Sequence, residues 1–134
     1  MKKLILISFI LISLSGLTWV VSRDFSDSFG EVKPTQIQFE QTEIDIGQLQ
    51  QGKPKTVHFA FKNTGEHPLV IQQVEASCGC TEPQWPKNPI KPSQSGEIKV
   101  TYDAKYPGRF VKSIKVFCNS EKGMEELVVK GDVD

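Results

Sequence analysis

Three cysteines carry most of the chemistry that this 134-residue sequence concentrates in one place. Cys78 and Cys80 flank Gly79, between Ser77 and Thr81, and Cys118 stands alone downstream. An odd count leaves at least one thiol unpaired in an oxidising compartment, or paired with another molecule. Two thiols separated by one residue share a face of an extended chain, and three chemistries suit them. They can form a reducible Cys-x-Cys disulfide with a redox role. They can offer two thiolates to a soft ion such as Cu(I). They can also be structural, packed against a core as small apolar groups. Zinc needs about four ligands, and the two histidines do not supply them. His58 alternates with core positions and so faces solvent, and His67 precedes Pro68 in a turn.

These residues must be positioned by strands, because the sequence after Gln36 repeats with period two. Ile37 and Phe39 alternate with polar residues, as do Ile44 and Ile46, then Val57, Phe59 and Phe61. Ile98, Val100 and Tyr102 continue the pattern, followed by Ile114, Val116 and Cys118, then Leu127 and Val129. Such alternation turns one set of side chains inward and the other to water. Turn residues punctuate the runs: Gly52-Lys53-Pro54, Asn63-Thr64-Gly65, Ser95-Gly96, Tyr106-Pro107-Gly108 and Asn119 to Gly123. Gly65 is read here as a turn residue free to take a positive φ. About seven short strands with such punctuation predict an all-β, immunoglobulin-like sandwich over residues 36–134.

Parity predicts one irregularity. Leu69 and Ile71 share a face, whereas Val74, Ala76 and Cys78 have the opposite parity, so a bulge or bend is expected at Gln72-Gln73. The same frame separates Cys118 from the pair. If their strands run antiparallel, Cys118 lies beside the start of the Leu69 strand and Cys78 at its end. Eight or nine residues at about 3.3 Å each place them over 20 Å apart, whereas a disulfide needs Cα atoms within about 7 Å. A Cys78–Cys118 bridge would have contributed roughly 4 kcal/mol; the geometry instead makes Cys118 a small buried hydrophobe.

Prolines at 83, 86, 89 and 92 recur every third residue, the repeat of polyproline II. An aromatic groove could bind such a segment, but the usual proline-reading modules are cytoplasmic, so a stiff crossover between sheets is the favoured reading. Trp85, within that run, is read as covering a sheet edge, with a possible second role as a contact anchor. The carboxylate pairs Glu125/Glu126 and Glu43/Asp45 have no partner that suggests acid–base work and read as surface charge.

The N-terminus reads as an address. Met-Lys-Lys precedes LILISFILISLSGLTWVV over residues 4–21, a short basic region followed by an uncharged apolar run, which is the pattern of an export segment. A cleaved signal and a retained membrane anchor over residues 1–22 both fit it. Small residues at Ser13/Ser15 and Val20/Ser22 are weak cleavage sites, the length approaches a membrane span, and Trp19 suits an interface. Residues 23–35 are polar and read as a flexible stem. Export places the domain outside the cytoplasm, in the periplasm, anchored to the inner membrane or released. Sixteen basic residues balance sixteen acidic ones, which excludes a strongly basic nucleic-acid binder.

FKNTG at 61–65, PLVI at 68–71, SCGCT at 77–81 and IKPSQSGEIKVTYD at 90–103 closely resemble the bacterial family of domain of unknown function fifteen-seventy-three. The resemblance covers nearly everything after the stem. It implies an immunoglobulin-like sandwich similar to the domains of abnormal-spindle and hydin proteins and to major sperm protein. It also implies export and a place in the cell envelope, and it implies no established activity. Ser77 to Thr81 match the family's Ser-Cys-Gly-Cys-Thr residue by residue; Cys118 departs from its pattern, where a small polar residue is more usual. The sequence thus leads to a non-enzymatic envelope module that binds another protein, with no cofactor. The alternative is a thiol-redox or copper-binding protein using Cys78 and Cys80.

Overall fold

The computed structural model describes residues 31–134. Residues 1–22, read from the sequence as a signal peptide or membrane anchor, and most of the expected stem over residues 23–35 lie outside the described residues. Among the described residues no helix is long and apolar enough to cross a membrane.

Eight strands form: β1 (Ile37–Phe39), β2 (Glu43–Leu49), β3 (Lys55–Asn63), β4 (Ile71–Ala76), β5 (Thr81–Gln84), β6 (Ser95–Tyr102), β7 (Gly108–Cys118) and β8 (Met124–Val133). They make two four-stranded sheets, ordered β1-β3-β6-β5 and β2-β8-β7-β4. Pairing is antiparallel except for β2, which runs parallel to β8. The alternating residues read from the sequence form the core: Val57, Phe59 and Phe61 on β3, with Ile98 and Val100 beside them on β6, pack with Ile114, Val116, Leu127 and Val129 of the other sheet, all buried. The expected bulge is present, because the β4–β7 register shifts between Ile71 and Gln73.

Two sequence expectations need correction. The eighth strand is β5, formed by the first residues of the proline run. An edge strand tolerates proline when the missing N–H points away from its neighbour. The Asp103 N–H donates to the Cys80 carbonyl, so the hydrogen-bonded pairs of β5 and β6 fall at Glu82 and Gln84, and Pro83 turns its nitrogen outward. The change of sheet therefore occurs at Ser77 to Cys80, between β4 and β5. Residues 85–94 return within one sheet, leaning across only far enough for Ile90 to exchange two backbone hydrogen bonds with Leu69.

Gly65 is not at positive φ. It is small because a Cβ there would strike the Thr35 hydroxyl and come within 2.5 Å of the Gln36 nitrogen. Thr35 is itself buried and bridges Ser120, so the ordered fold starts upstream of the Gln36 boundary.

Candidate functional site at the β4–β5 crossover

β4 brings Val74 and Ala76 inward and then ends; Ser77 to Cys80 carry the chain across to the other sheet, where Thr81 is buried at the start of β5. Cys78 and Cys80 are joined in a disulfide, with Cα atoms 5.3 Å apart. Both are half-buried, while Ser77 and Gly79 are exposed. The Cys80 side chain packs against the core. The Thr81 hydroxyl lies 3.7 Å from the Cys78 Sγ and 3.8 Å from the Cys80 Sγ, within hydrogen-bonding reach of either sulfur.

The backbone around the pair is pinned from both sheets. The Ser77 N–H donates to the Ser113 carbonyl on β7, and the Asp103 N–H to the Cys80 carbonyl. The disulfide itself closes a very short loop. Chain-entropy reasoning gives roughly 1.6 kcal/mol for three residues, well under half the roughly 4 kcal/mol of a bridge across forty.

Cys118 is the free, buried thiol expected from the strand frame: it pairs with Ile71 at the start of β4, away from the disulfide. His58 faces solvent, with Nδ1 3.2 Å from a Glu97 carboxylate oxygen. Cu(I) takes thiolates, so only the reduced form of this pair would offer it ligands. Among the described residues no three His, Cys, Asp or Glu side chains cluster as metal ligands. Trp85 is half-buried against the core, and the Lys87 ammonium sits 3.0 Å from its ring centroid. That cation covers the ring face a contact anchor would use.

The sequence did not single out Thr81, nor two asparagines at the opposite end of the sandwich. Asn63 is fully buried. Its Oδ1 accepts from the Thr35 hydroxyl (2.9 Å) and the Gly65 N–H (3.1 Å). Its Nδ2 donates to the carbonyls of His67 (2.8 Å) and Ile90 (2.9 Å). Two donors and two acceptor sites are thus all used. Asn119 accepts from the Val70 N–H (2.7 Å) and donates to the Lys33 and Pro68 carbonyls. A signal for Asn63 existed: it continues the inward parity of Val57, Phe59 and Phe61, where a polar side chain must find partners.

Two stacked four-stranded sheets with a parallel β2–β8 edge make an immunoglobulin-like sandwich. The chain belongs to the family described as Protein of unknown function (DUF1573), whose profile matches residues 37–133. A protein of unknown function from Porphyromonas gingivalis W83 is similar in structure, with a TM-score of 0.67 at 20% identity over 78% of this chain. The match spans 50% of that protein's length. The ASH / PapD-like domain of human CEP192 superposes with a TM-score of 0.64 at 10% identity, covering 78% of this chain and 91% of that domain. Part of the VesB protease of Vibrio cholerae, 32% of its chain, matches 74% of this one at 14% identity and a TM-score of 0.58. At these identities the likeness is one of fold alone. A search of the curated proteins finds no match.

Proposed function

We propose that this is an exported, non-enzymatic cell-envelope protein whose sandwich binds an extended segment of another exported protein along the free edge of β4. The supporting observation is the state of the four sheet edges. β1 has three residues. β5 contains Pro83. β2 is interrupted by a register shift between Asp45 and Gln48, and the Asp45 carboxylate occupies the Gly47 N–H at 2.9 Å. Short length, proline and irregularity are the usual protections against strand pairing.

β4 lacks such protection beyond its bulge. Because the Ser77 N–H bonds the Ser113 carbonyl, the hydrogen-bonded β4–β7 pairs fall at Glu75 and Gln73. Val74 and Ala76 therefore turn their backbone N–H and C=O groups to the open side. That is the surface strand addition requires, with Gln73 and Glu75 as the exposed side chains beside it. Export itself is supported by the basic and apolar pattern of residues 1–21.

The test places a photo-crosslinking residue at Gln73 of the full chain in its own host envelope, with Gln84 on β5 as the control. Adducts form from Gln73 and not from Gln84. Ala76→Pro, which removes one outward N–H, abolishes them while leaving the fold intact. Equal adducts from both positions, or adducts indifferent to Ala76→Pro, would sink the proposal.

A further inference from the structure

We infer that the Cys78–Cys80 disulfide is a thiol–disulfide exchange site, and that its reactant is a dithiol carried by an exported protein. The inference rests on the β4-edge reading only for how that protein is delivered: β4 ends at Ala76, two residues before Cys78, so a strand laid along Val74 and Ala76 brings the partner to the crossover.

Four observations support it. The bond lies outside both sheet ladders, in a crossover whose neighbours Ser77 and Gly79 are exposed. A Cβ built on Gly79 meets nothing within 4 Å, so the backbone between the two cysteines is open to solvent, and Cys78 itself is only half-buried. The bond closes too short a loop to be explained by its effect on the unfolded chain. Finally, the hydroxyl of the buried Thr81 lies beside the bond, within reach of either sulfur. A disulfide sulfur is a weak acceptor, whereas a thiolate is a charged one, so that hydroxyl bonds more strongly once the pair is opened.

In the exchange, a thiolate of the partner attacks the Cys78 sulfur, because Cys80 packs against the core. The partner–Cys78 bond forms, the Cys78–Cys80 bond breaks, and Cys80 leaves as a thiolate that accepts the Thr81 hydrogen bond. The partner's second thiolate then attacks its own sulfur in the mixed disulfide and releases Cys78. The partner dithiol loses two electrons and two protons and becomes a disulfide; Cys78 and Cys80 gain both and become thiols. The reverse reaction uses the same steps. The charged groups beside the pair are of both signs: Glu75 on β4, Lys112 on β7 in the register position facing Cys78, and Asp103 after β6. Thr81 acts as a positioning residue through its hydrogen bond to the leaving sulfur.

The experiment equilibrates the full chain, in detergent, with graded mixtures of reduced and oxidised glutathione, followed by alkylation and intact mass. Cys78 and Cys80 gain two labels together at a midpoint within the series, while Cys118 stays unlabelled and the circular dichroism is unchanged. A pair that stays oxidised across the series, or opens only when all three cysteines label together, overturns the inference. In the reduced protein, thiolate absorbance near 240 nm titrates about half a unit or more higher in Thr81→Val than in the parent. An unchanged titration overturns the assignment of Thr81. In the parent chain, an absence of crosslinks from Gln73 with a midpoint inside the series counts against edge binding alone, and an inert pair with normal crosslinking counts against exchange alone.

Discussion

The two ends of the sandwich tie the chain together by opposite means. At one end the side chains of Asn63 and Asn119 hydrogen-bond to three segments that are distant in sequence, Lys33–Thr35, His67–Val70 and Ile90; the bonds of Asn63 are buried or half-buried. At the other end a covalent bond links residues only two apart, in an exposed crossover. The covalent bond is far stronger in isolation, yet it constrains almost no chain. The amide bonds are individually modest, but each one broken at Asn63 strands a buried or half-buried donor or acceptor. Stability is thus expected to reside at the asparagine end, leaving the sulfur end open to chemistry.

The largest effect is expected from Asn63→Ala. It orphans the Thr35 hydroxyl, the Gly65 N–H and two carbonyls at once, and should lower the unfolding free energy in urea by about 3–4 kcal/mol. Asn119→Ala, half-buried and with three such bonds, should cost about half as much. Gly65→Ala follows at about 2–3 kcal/mol, because the colliding atoms include the backbone nitrogen of Gln36 and cannot rotate away. If either Asn63→Ala or Gly65→Ala proves neutral, the asparagine end is not the tie that it is described as here.

Replacing both Cys78 and Cys80 by Ser tests the other end. The expected loss is at most about 1.5 kcal/mol, smaller than for Asn63→Ala despite the covalent bond removed. A loss of 4 kcal/mol would reverse the comparison and make the pair a structural staple. Ala104, near that end, sharpens it further. It is buried at φ 51, where a Cβ is unfavourable, and its carbonyl accepts from the Gly52 N–H. Ala104→Gly relieves roughly 1–2 kcal/mol of strain, but gives up a buried methyl and adds freedom to the unfolded chain. The terms offset, so the midpoint of urea unfolding should barely move, whereas Ala104→Val should lower it clearly.

The contrast between the ends also separates what the sequence could reveal from what it could not. Period-two alternation marked the core strands, and a parity slip located the bulge at Gln72-Gln73, because both are properties of neighbouring residues. The separation of Cys118 from Cys78 followed from strand length alone. Asn63 was read as part of a turn, because its partners Thr35 and Ile90 lie 28 and 27 residues away. Pro83 hid β5, since nothing local says which side of a strand faces its neighbour. Thr81 became part of the candidate site only when the crossover folded its hydroxyl back onto both sulfurs. Local pattern carries strands; the pairing of distant segments carries the site.

The smallest predicted effect lies on the alkaline side. Tyr102 pairs with Thr81 across β5 and β6, and its phenol is held above the ordinary value of 10.0, first by burial and then by the Asp103 carboxylate. The Lys130 ammonium is likewise held above its ordinary 10.5, first by its hydrogen bond to Glu43 and then by the charge of that carboxylate. In both cases the folded protein keeps its proton to higher pH than the unfolded chain does. Their contributions are therefore complete below about pH 10 and are lost as pH rises through the folded values. Tyr102→Phe preserves the stacking on Phe110, at 3.9 Å between ring centroids, and removes the titrating hydroxyl. Urea midpoints of the parent and Tyr102→Phe between pH 8 and 11.5 should accordingly converge or cross, with the shallower alkaline decline in the variant. A parallel decline in both would mean that the Tyr102 phenol ionises no later in the folded chain than in the unfolded one, and that the buried end of β6 is wetter than its contacts indicate.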